Sequence, residues 1–447
     1  MAGKGVAHGR HSSLQDALEW GYTSLQPAAQ LLFHRVSVFA GGFTLMAACD
    51  VCQDEDLSSE DIEAAIHELH RCSLLIQDSG RYRMLRPLRD FAQEKLRRSE
   101  GVEVMRDRHL DWMIKLAGSA PELPDRDGAW LSSLEPELAN AREAMEWART
   151  STNDDRAFRL AYGLYDFWYP RSMAIEGANE IRRTLRSSRR LDWLSKARLF
   201  NAKAVLDMER GDLETALADY QSAARLAKRN GDQMIETRIL ANVAIVMRRL
   251  GKCKEAYQSG DELLRRMPEG EPMWIGQQLN VAAAAIDVGE YEDARRRIEI
   301  VYKLAEATDS KNFLGHVFLS RGELATRMGR FDDAQEQIER GFLVFEGLAD
   351  MRTTGIALAL LIVAVTGAGL HRQAGAYYGC LENLRTEVAI HLTPQLQTAI
   401  DIAVHSLRQA LGETEFTLEQ DRGRSLGLGD LARHLRNRLG ELDPTER

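Results

Sequence analysis

Proline is scarce in this chain, ten in 447 residues, and cysteine scarcer still at five. So little proline, with Ala, Leu, Glu and Arg abundant, argues against a strand-rich sandwich and for helices. An odd number of cysteines spread over so long a chain is no disulfide framework and points to a reducing, cytoplasmic setting. No apolar run reaches the ~18–20 residues of a membrane-spanning helix, so no membrane partner is expected. The first ten residues carry charge but no apolar segment and are not read as a secretory signal. An excess of positive charge is also lacking. Lys+Arg number 58 against 67 Asp+Glu, a net charge of −9, which does not suit coating nucleic acid through the overall field but leaves room for a local basic patch. Catalytic signatures are missing too. There is no G-x-x-x-x-G-K-[ST] phosphate loop, since Gly3-Lys4-Gly5 lacks the earlier glycine, the strand and the following helix. G-x-S-x-G, H-E-x-x-H and a strand-turn-helix G-x-G-x-x-G do not occur either. The chain is read as non-enzymatic, with no catalytic residues, no cofactor and no metal.

What is present is a soluble globular balance, 44% hydrophobic and 28% charged, with length for two to four domains. Between residues 200 and 380 a pattern recurs: Gly, a spacer, a bulky residue, two spacers, Ala. It reads Gly211-x-Leu213-x-x-Ala216, Gly251-x-Cys253-x-x-Ala256, Gly289-x-Tyr291-x-x-Ala294, Gly329-x-Phe331-x-x-Ala334 and, more weakly, Gly369-x-His371-x-x-Ala374. The glycines are spaced by 40, 38, 40 and 40 residues. Each glycine ends a helix in the left-handed conformation. Each alanine lets two helices approach closely, as do Ala204, Ala244, Ala282 and Gly322 before the glycines. The bulky residue is expected to fill the seam within the pair. One such hairpin cannot bury its own apolar face, so neighbours must stack. The pattern resembles the G-x-Y-x-x-A turn of the tetratricopeptide repeat, with a period longer than the usual 34.

Residues 12–98 differ in texture. Ser12 or Ser13 is a candidate N-cap for a helix carrying Leu14, Leu18, Trp20 and Leu25. Helices are expected over Ala28–Phe39, Leu45–Cys52 and Ser59–His70, with a break at Gly41-Gly42. Leu74-Leu75-Ile76 and Tyr82-Arg83-Met84 flank a turn at Asp78-Ser79-Gly80, the one convincing hairpin, and a helix from Pro87 to Arg98 follows. Helices, a two-stranded wing and a closing helix describe a winged-helix module.

The residues here are specific. Leu14-x-x-Ala17-Leu18-x-Trp20-x-Tyr22, Phe33-x-Arg35-x-x-Val38-Phe39-Ala40-Gly41-Gly42-Phe43-Thr44 and Arg81-Tyr82-Arg83-Met84-Leu85-Arg86-Pro87-Leu88-Arg89-Asp90-Phe91 resemble the segment after the nucleotide-binding core of bacterial STAND regulators, the predicted ATPases related to AfsR-type and LuxR-type transcriptional regulators. Leu134-Glu135-x-Glu137-x-x-Asn140-x-Arg142-x-Ala144-Met145-x-Trp147 continues the likeness, as do Phe167-Trp168-x-x-Arg171 with Glu176-Gly177. The tail, with Ala410-Leu411-Gly412-Glu413 and Gly423-Arg424, extends it to about residue 435. The resemblance implies a regulatory hinge followed by a sensor of helical repeats. In those proteins an ATP- or ADP-binding domain precedes the module, and no such domain is found in this sequence. Where related proteins carry Met-His-Asp, this chain has Met84-Leu85-Arg86, so no ADP contact is expected of the module.

Four groups of residues are candidates for sites. Cys49-x-x-Cys52 with His67-x-x-His70 and Cys72 has zinc-like composition, but i,i+3 spacing on amphipathic helices serves packing equally, and structural cysteine is the reading taken. Arg81, Arg83, Arg86 and Arg89 are candidates for DNA or phosphate contact, diluted by Asp90 and Glu94. A second basic cluster, Arg182, Arg183, Arg186, Arg189 and Arg190, reads as a solvated helix face. On the first helices of the repeats, which line the concave face of such a solenoid, Asn242 and Asn280 both lie nine residues before a turn glycine. With Arg238 and Arg249 they form the candidate partner-binding set, asparagine amides being able to pair with an extended peptide or to bridge neighbouring helices.

The expected fold is all-α with one small β-hairpin wing, a winged-helix module followed by a tetratricopeptide-like α-solenoid. The expected divisions are a winged-helix module (1–100), a helical connector with atypical first repeats (101–192), the repeats (193–390) and a C-terminal helical cap (391–447). The expected function is a cytoplasmic, non-enzymatic regulator binding a protein, peptide or small effector, in transcriptional or signalling control. Its rivals are a DNA-binding regulator acting through the winged helix, with DNA not favoured, and the sensor half of a split ATPase whose nucleotide-binding half is a separate partner protein.

Overall fold

The computed structural model describes residues 16, 18–99, 101–119, 128–150, 153–169, 173–388 and 390–440. The candidate cap at Ser12 or Ser13, together with Leu14, Ala17 and Arg171, lies outside them. Two compact units divide after Lys203.

After a helical stretch at residues 18–23, the first unit runs through α1 (Pro27–Arg35), α2 (Leu45–Cys52) and α3 (Ser59–Arg71), then β1 (Ile76–Asp78), β2 (Arg81–Arg83) and α4 (Arg86–Arg98). Local signals set these bounds. Pro27 starts α1, the Thr44 hydroxyl caps α2, and Ser58 with Asp61 forms a reciprocal capping box on α3. The helix expected over Ala28–Phe39 is shorter. It stops at Arg35 and a 3₁₀ turn covers Val36–Val38, because the Ser37 hydroxyl takes the His34 carbonyl (2.6 Å) while Arg89 and Gln93 take the Ser37 carbonyl. Strands β1 and β2 pair antiparallel with Gln77 opposite Tyr82, around a turn in which Ser79 and Gly80 both have positive φ, the geometry that suits a two-residue hairpin. Phe43 and Tyr82 exchange two 2.8 Å backbone bonds and add a bridge to this wing. Gly42 allows that approach: its φ is +83° and a Cβ there would sit 2.6 Å from the Tyr82 carbonyl oxygen. Leu32, Phe33, Val51, Cys52, Ile62, Ile66 and Leu69 form the core of the module. The unit continues with α5 (Val102–Ala117), α6 (Gly128–Leu134), α7 (Leu138–Thr150), α8 (Asp154–Trp168) and α9 (Ala174–Ser187).

Helix α10 (Trp193–Glu209) contains the division. Ten further helices carry the repeat pattern and its continuation: α11 (Leu213–Asn230), α12 (Gln233–Arg249), α13 (Cys253–Leu264), α14 (Pro272–Val288), α15 (Tyr291–Ala307), α16 (Lys311–Arg327), α17 (Phe331–Gly347), α18 (Met351–Gly367), α19 (His371–Glu387) and α20 (Pro394–Leu411). Two short helices follow, α21 (Glu413–Ser425) and α22 (Leu428–Leu439). The five turn glycines, 211, 251, 289, 329 and 369, all have φ between 72° and 88°, and the alanines at 216, 256, 294, 334 and 374 are buried. First helices stack on first helices, α12 on α14, α14 on α16 and α16 on α18. This is a tetratricopeptide-like helical solenoid, and the only sheet among the described residues is the two-stranded wing.

The bulky turn residue sits elsewhere than expected. Phe331 packs on Gly367, where an added Cβ would come within 2.3 Å of its ring, and Cys253 reaches Asp287. Both contacts join one repeat to the next. The residue after the turn begins the second helix of its own pair, so its side chain is carried towards the following first helix and the seam it fills lies between repeats. Behind the last repeat, α21 crosses α19 at Gly379 and Gly423, whose added Cβ atoms would fall 2.0 and 1.8 Å from carbonyl oxygens of the opposing helix.

Candidate partner-binding groove

The stacked first helices bring one charged line together from three consecutive repeats. Arg248 at the end of α12 donates to Asp287 of α14 (Nε–Oδ2 2.6 Å) and faces Glu323 of α16 at 3.4 Å. Arg327, one turn beyond Glu323, lies 3.5 Å from the other Asp287 oxygen. The Asp287 carboxyl has no exposed surface. Burial holds the Glu323 carboxyl above its ordinary pKa, against the opposing pull of Arg248.

The four residues expected to face a partner lie on α12 and α14, the helices that carry Arg248 and Asp287. Arg238 is exposed on α12, Asn242 and Arg249 are half-buried on the same helix, and the Asn280 amide on α14 donates to Gln277 Oε1 at 3.3 Å. Arg248, the neighbour of the expected Arg249, is the residue that spans the repeats. Asp287, Glu323 and Arg327 were missed. The glycine offset marks two of them: Arg249, Asp287 and Arg327 all stand two residues before a turn glycine.

Beside the charged line runs a groove of about 430 Å³, walled by α16, α18 and α20. Its apolar side is Phe331, Leu360, Val363, Leu396, Ala399 and Ile402, and its polar side is Glu323, Thr326, Arg327, Thr366 and Ser406. The lead into α20 is tied back across the repeats, with Gln395 Nε2 donating to Cys253 Sγ at 3.1 Å.

In the first unit the wing arginines separate into two pairs. Arg81 is ion-paired with buried Glu137 and donates to the Gly42 carbonyl. Asn140, fully buried, accepts from Gly41 N–H and donates to the Gly42 carbonyl and to Glu137. Arg89 donates to the Ser37 carbonyl and pairs with Glu143. Arg83 and Arg86 are exposed. Within α2–α3, the helix placed as the second of a helix-turn-helix pair, α3, turns Glu60 and Glu63 to solvent. In the second basic cluster Arg182 bonds Asn179 and Arg183 pairs with Glu180. Cys52 is in the module's core, its thiol pushed up to about 12 by burial, while Cys72, His67 and His70 are exposed. Among the described residues no three His, Cys, Asp or Glu side chains gather as a metal ion requires, and no helix is long and apolar enough to cross a membrane.

No family model matches the chain. Proteins named as HTH-type transcriptional regulators in Mycobacterium tuberculosis and Mycobacterium bovis are 30% identical to it over 203 residues, 44% of this chain and 23% of theirs. The chain therefore spans under a quarter of the length of the curated relatives it matches. Among solved structures, aspartyl phosphate phosphatase F of Bacillus subtilis aligns with a TM-score of 0.52 at 10% identity, covering 80% of this chain and 94% of that one, and shows the shared fold. A STAND protein with a tetratricopeptide repeat sensor from Pyrococcus horikoshii aligns over 95% of this chain and 66% of its own, with a TM-score of 0.44 at 14% identity.

Proposed function

We propose that this chain is a non-enzymatic regulator in transcriptional or signalling control, whose solenoid takes up a protein, peptide or small effector and whose winged-helix module answers to it. One observation carries the reading: successive first helices align charged side chains, two of which, Glu323 and Arg327, line a largely apolar groove on a framework already ordered by repeat stacking. A partner meeting such a surface does not have to order it first. The effector acts by stabilising the conformation that it binds best. Arg238, Asn242, Arg249 and Asn280 form the partner-binding set, with Glu323 and Arg327 extending it. The 30% identity to named HTH-type regulators supports control of transcription as the output.

For the wing arginines we take the hinge reading over direct DNA binding. Arg81 and Arg89 are engaged inside the unit, and the exposed Glu60 and Glu63 of α3 put carboxylates where a DNA reader needs to meet phosphates.

The test is site-specific photocrosslinking in cells, with the crosslinker at Arg238 or Asn280 of the first helices and at Glu262 or Glu336 of the second. Capture of one discrete partner from the first-helix positions alone, weakened about tenfold by Asn242→Ala/Asn280→Ala, is the expected result. Equal capture from the second helices overturns the reading.

A further inference from the structure

The groove between α16, α18 and α20 is lined by two kinds of side chain. Leu360 and Val363 of α18 and Leu396 and Ile402 of α20 are aliphatic, and Ile402 is 66% exposed to water. Glu323 and Arg327 of α16, one helical turn apart, add a carboxylate and a guanidinium. Both are only loosely engaged by the protein, at 3.4 Å to Arg248 and 3.5 Å to Asp287. A well-seated charge-assisted bond runs at roughly 2.7–2.9 Å, so the carboxylate keeps acceptor capacity and the guanidinium keeps donors.

Size and spacing narrow the ligand. The volume of about 430 Å³ falls within the range of small-molecule sites. Residues four apart on a helix have Cβ atoms roughly 5–6 Å apart. A dipeptide, at roughly 3.3–3.6 Å per extended residue, carries its terminal charges about 7 Å apart, within reach of long Glu and Arg side chains rooted one turn apart.

We infer that this groove binds an apolar dipeptide with both termini free, its ammonium on Glu323, its carboxylate on Arg327 and its aliphatic side chains against Leu360, Val363 and Ile402. Opposite charges one helical turn apart suit the two charges of a small zwitterion, whereas a longer chain in extended form holds its termini too far apart to reach both. The aliphatic wall removes the ligand's side chains and the exposed Ile402 from water together. The inference rests on the reading of the solenoid as a sensor and names its effector class.

The test is calorimetric titration of the full chain with dileucine. Saturable one-to-one binding is expected, weakened about tenfold or more when the ligand is N-acetylated or C-amidated, and likewise in Glu323→Gln and Arg327→Gln. Ile402→Asp, on an already exposed side chain, is expected to abolish binding while the chain stays folded by circular dichroism, so the test survives if a charge variant misfolds. Glu262→Gln on α13 is expected to bind as the wild type does. No heat up to about 10 mM dileucine, or equal binding of the blocked dipeptides, overturns the inference. If that happens while first-helix crosslinking still captures a partner, the sensor reading stands without this ligand. Capture from the second helices removes the sensor reading itself.

Discussion

The two units put their polar side chains to opposite uses. In the first, Asn140 reaches back 99 residues to Gly41 and Glu137 reaches 56 residues to Arg81, both without solvent exposure at the buried partner. These bonds fasten α7 and the turn before it to the wing. In the second, the turn glycines and the buried alanines do the structural work, and they recur unchanged. The position two residues before each turn glycine varies, Glu209, Arg249, Asp287, Arg327 and Gly367 in turn. A repeat built on recurring small residues can change its polar positions from one unit to the next without losing its scaffold. A module built on single long-range bonds cannot.

The comparison breaks first where small residues are enlarged. Gly423→Ala or Gly379→Ala puts a methyl within 2.0 Å of a backbone carbonyl across the α19–α21 crossing, where no rotamer gives relief. A loss of about 3 kcal/mol is expected by denaturant unfolding, as overpacking against backbone sits at the upper end of such costs. Gly276→Ala is the matched control. Nothing lies within 4 Å of its added Cβ, and a helical glycine replaced by alanine is expected to gain roughly 0.5–1 kcal/mol. Equal losses at all three positions would mean that close packing is not what the recurring small residues supply.

Asn140→Ala tests the other side of the comparison. It strips the part-buried Gly41 N–H of its acceptor and leaves Glu137 and the Gly42 carbonyl without the Asn140 amide, a loss of about 2 kcal/mol. The loss is expected in the first unit, read as faster amide exchange at Gly41 and through the wing, with α12–α18 unchanged. Unaltered exchange at Gly41 would show that the wing does not depend on this bond.

Acid sharpens the same contrast more gently. His109 is 2% exposed, packed edge-on to Phe39 and stacked on Trp112, and burial, helped by Arg89, lowers its pKa to about 3. The unfolded chain takes up this proton near pH 6.5 and the folded chain does not. The stabilisation is therefore complete above pH 6.5 and is lost as pH falls towards 3, by about 1 kcal/mol per pH unit. His34, lowered to about 4 by burial and Lys95, acts in the same direction. Melting at pH 7 and pH 5 is expected to differ less in His109→Phe than in the wild type. An unchanged difference rules His109 out as a source of the acid sensitivity.

How much was legible follows the same division. Repeat spacing alone locates the glycine turns and the buried alanines. The wing, α2 and α3 also read directly, because each is announced by a local cap or turn. Arg248 did not read, since its neighbour Arg249 fits the helical spacing equally well and only the distance to Asp287 separates them. The engagement of Arg81 by Glu137 had no local signal, because the partner lies across the fold at a separation no periodicity encodes. The groove was hidden for a similar reason: one of its walls is α20, which lies outside the repeat pattern.

The smallest expected effect concerns the two arginines that the first unit leaves exposed. Arg83→Glu/Arg86→Glu changes only solvated side chains, and surface changes of this kind stay within about 0.5 kcal/mol. Arg81→Glu, by contrast, sets a carboxylate against buried Glu137 and is expected to be far more damaging. The double variant is then a clean probe of DNA, since its fold is intact. If both arginines neutralise phosphates, replacing them lowers the slope of log affinity against log salt by about 2. We expect no such change, because Glu60 and Glu63 on α3 repel the backbone that those arginines would have to meet. A duplex whose binding weakens with salt in the wild type and loses that dependence in the double variant would make the wing a phosphate contact and the module a DNA reader, against the hinge role assigned to it.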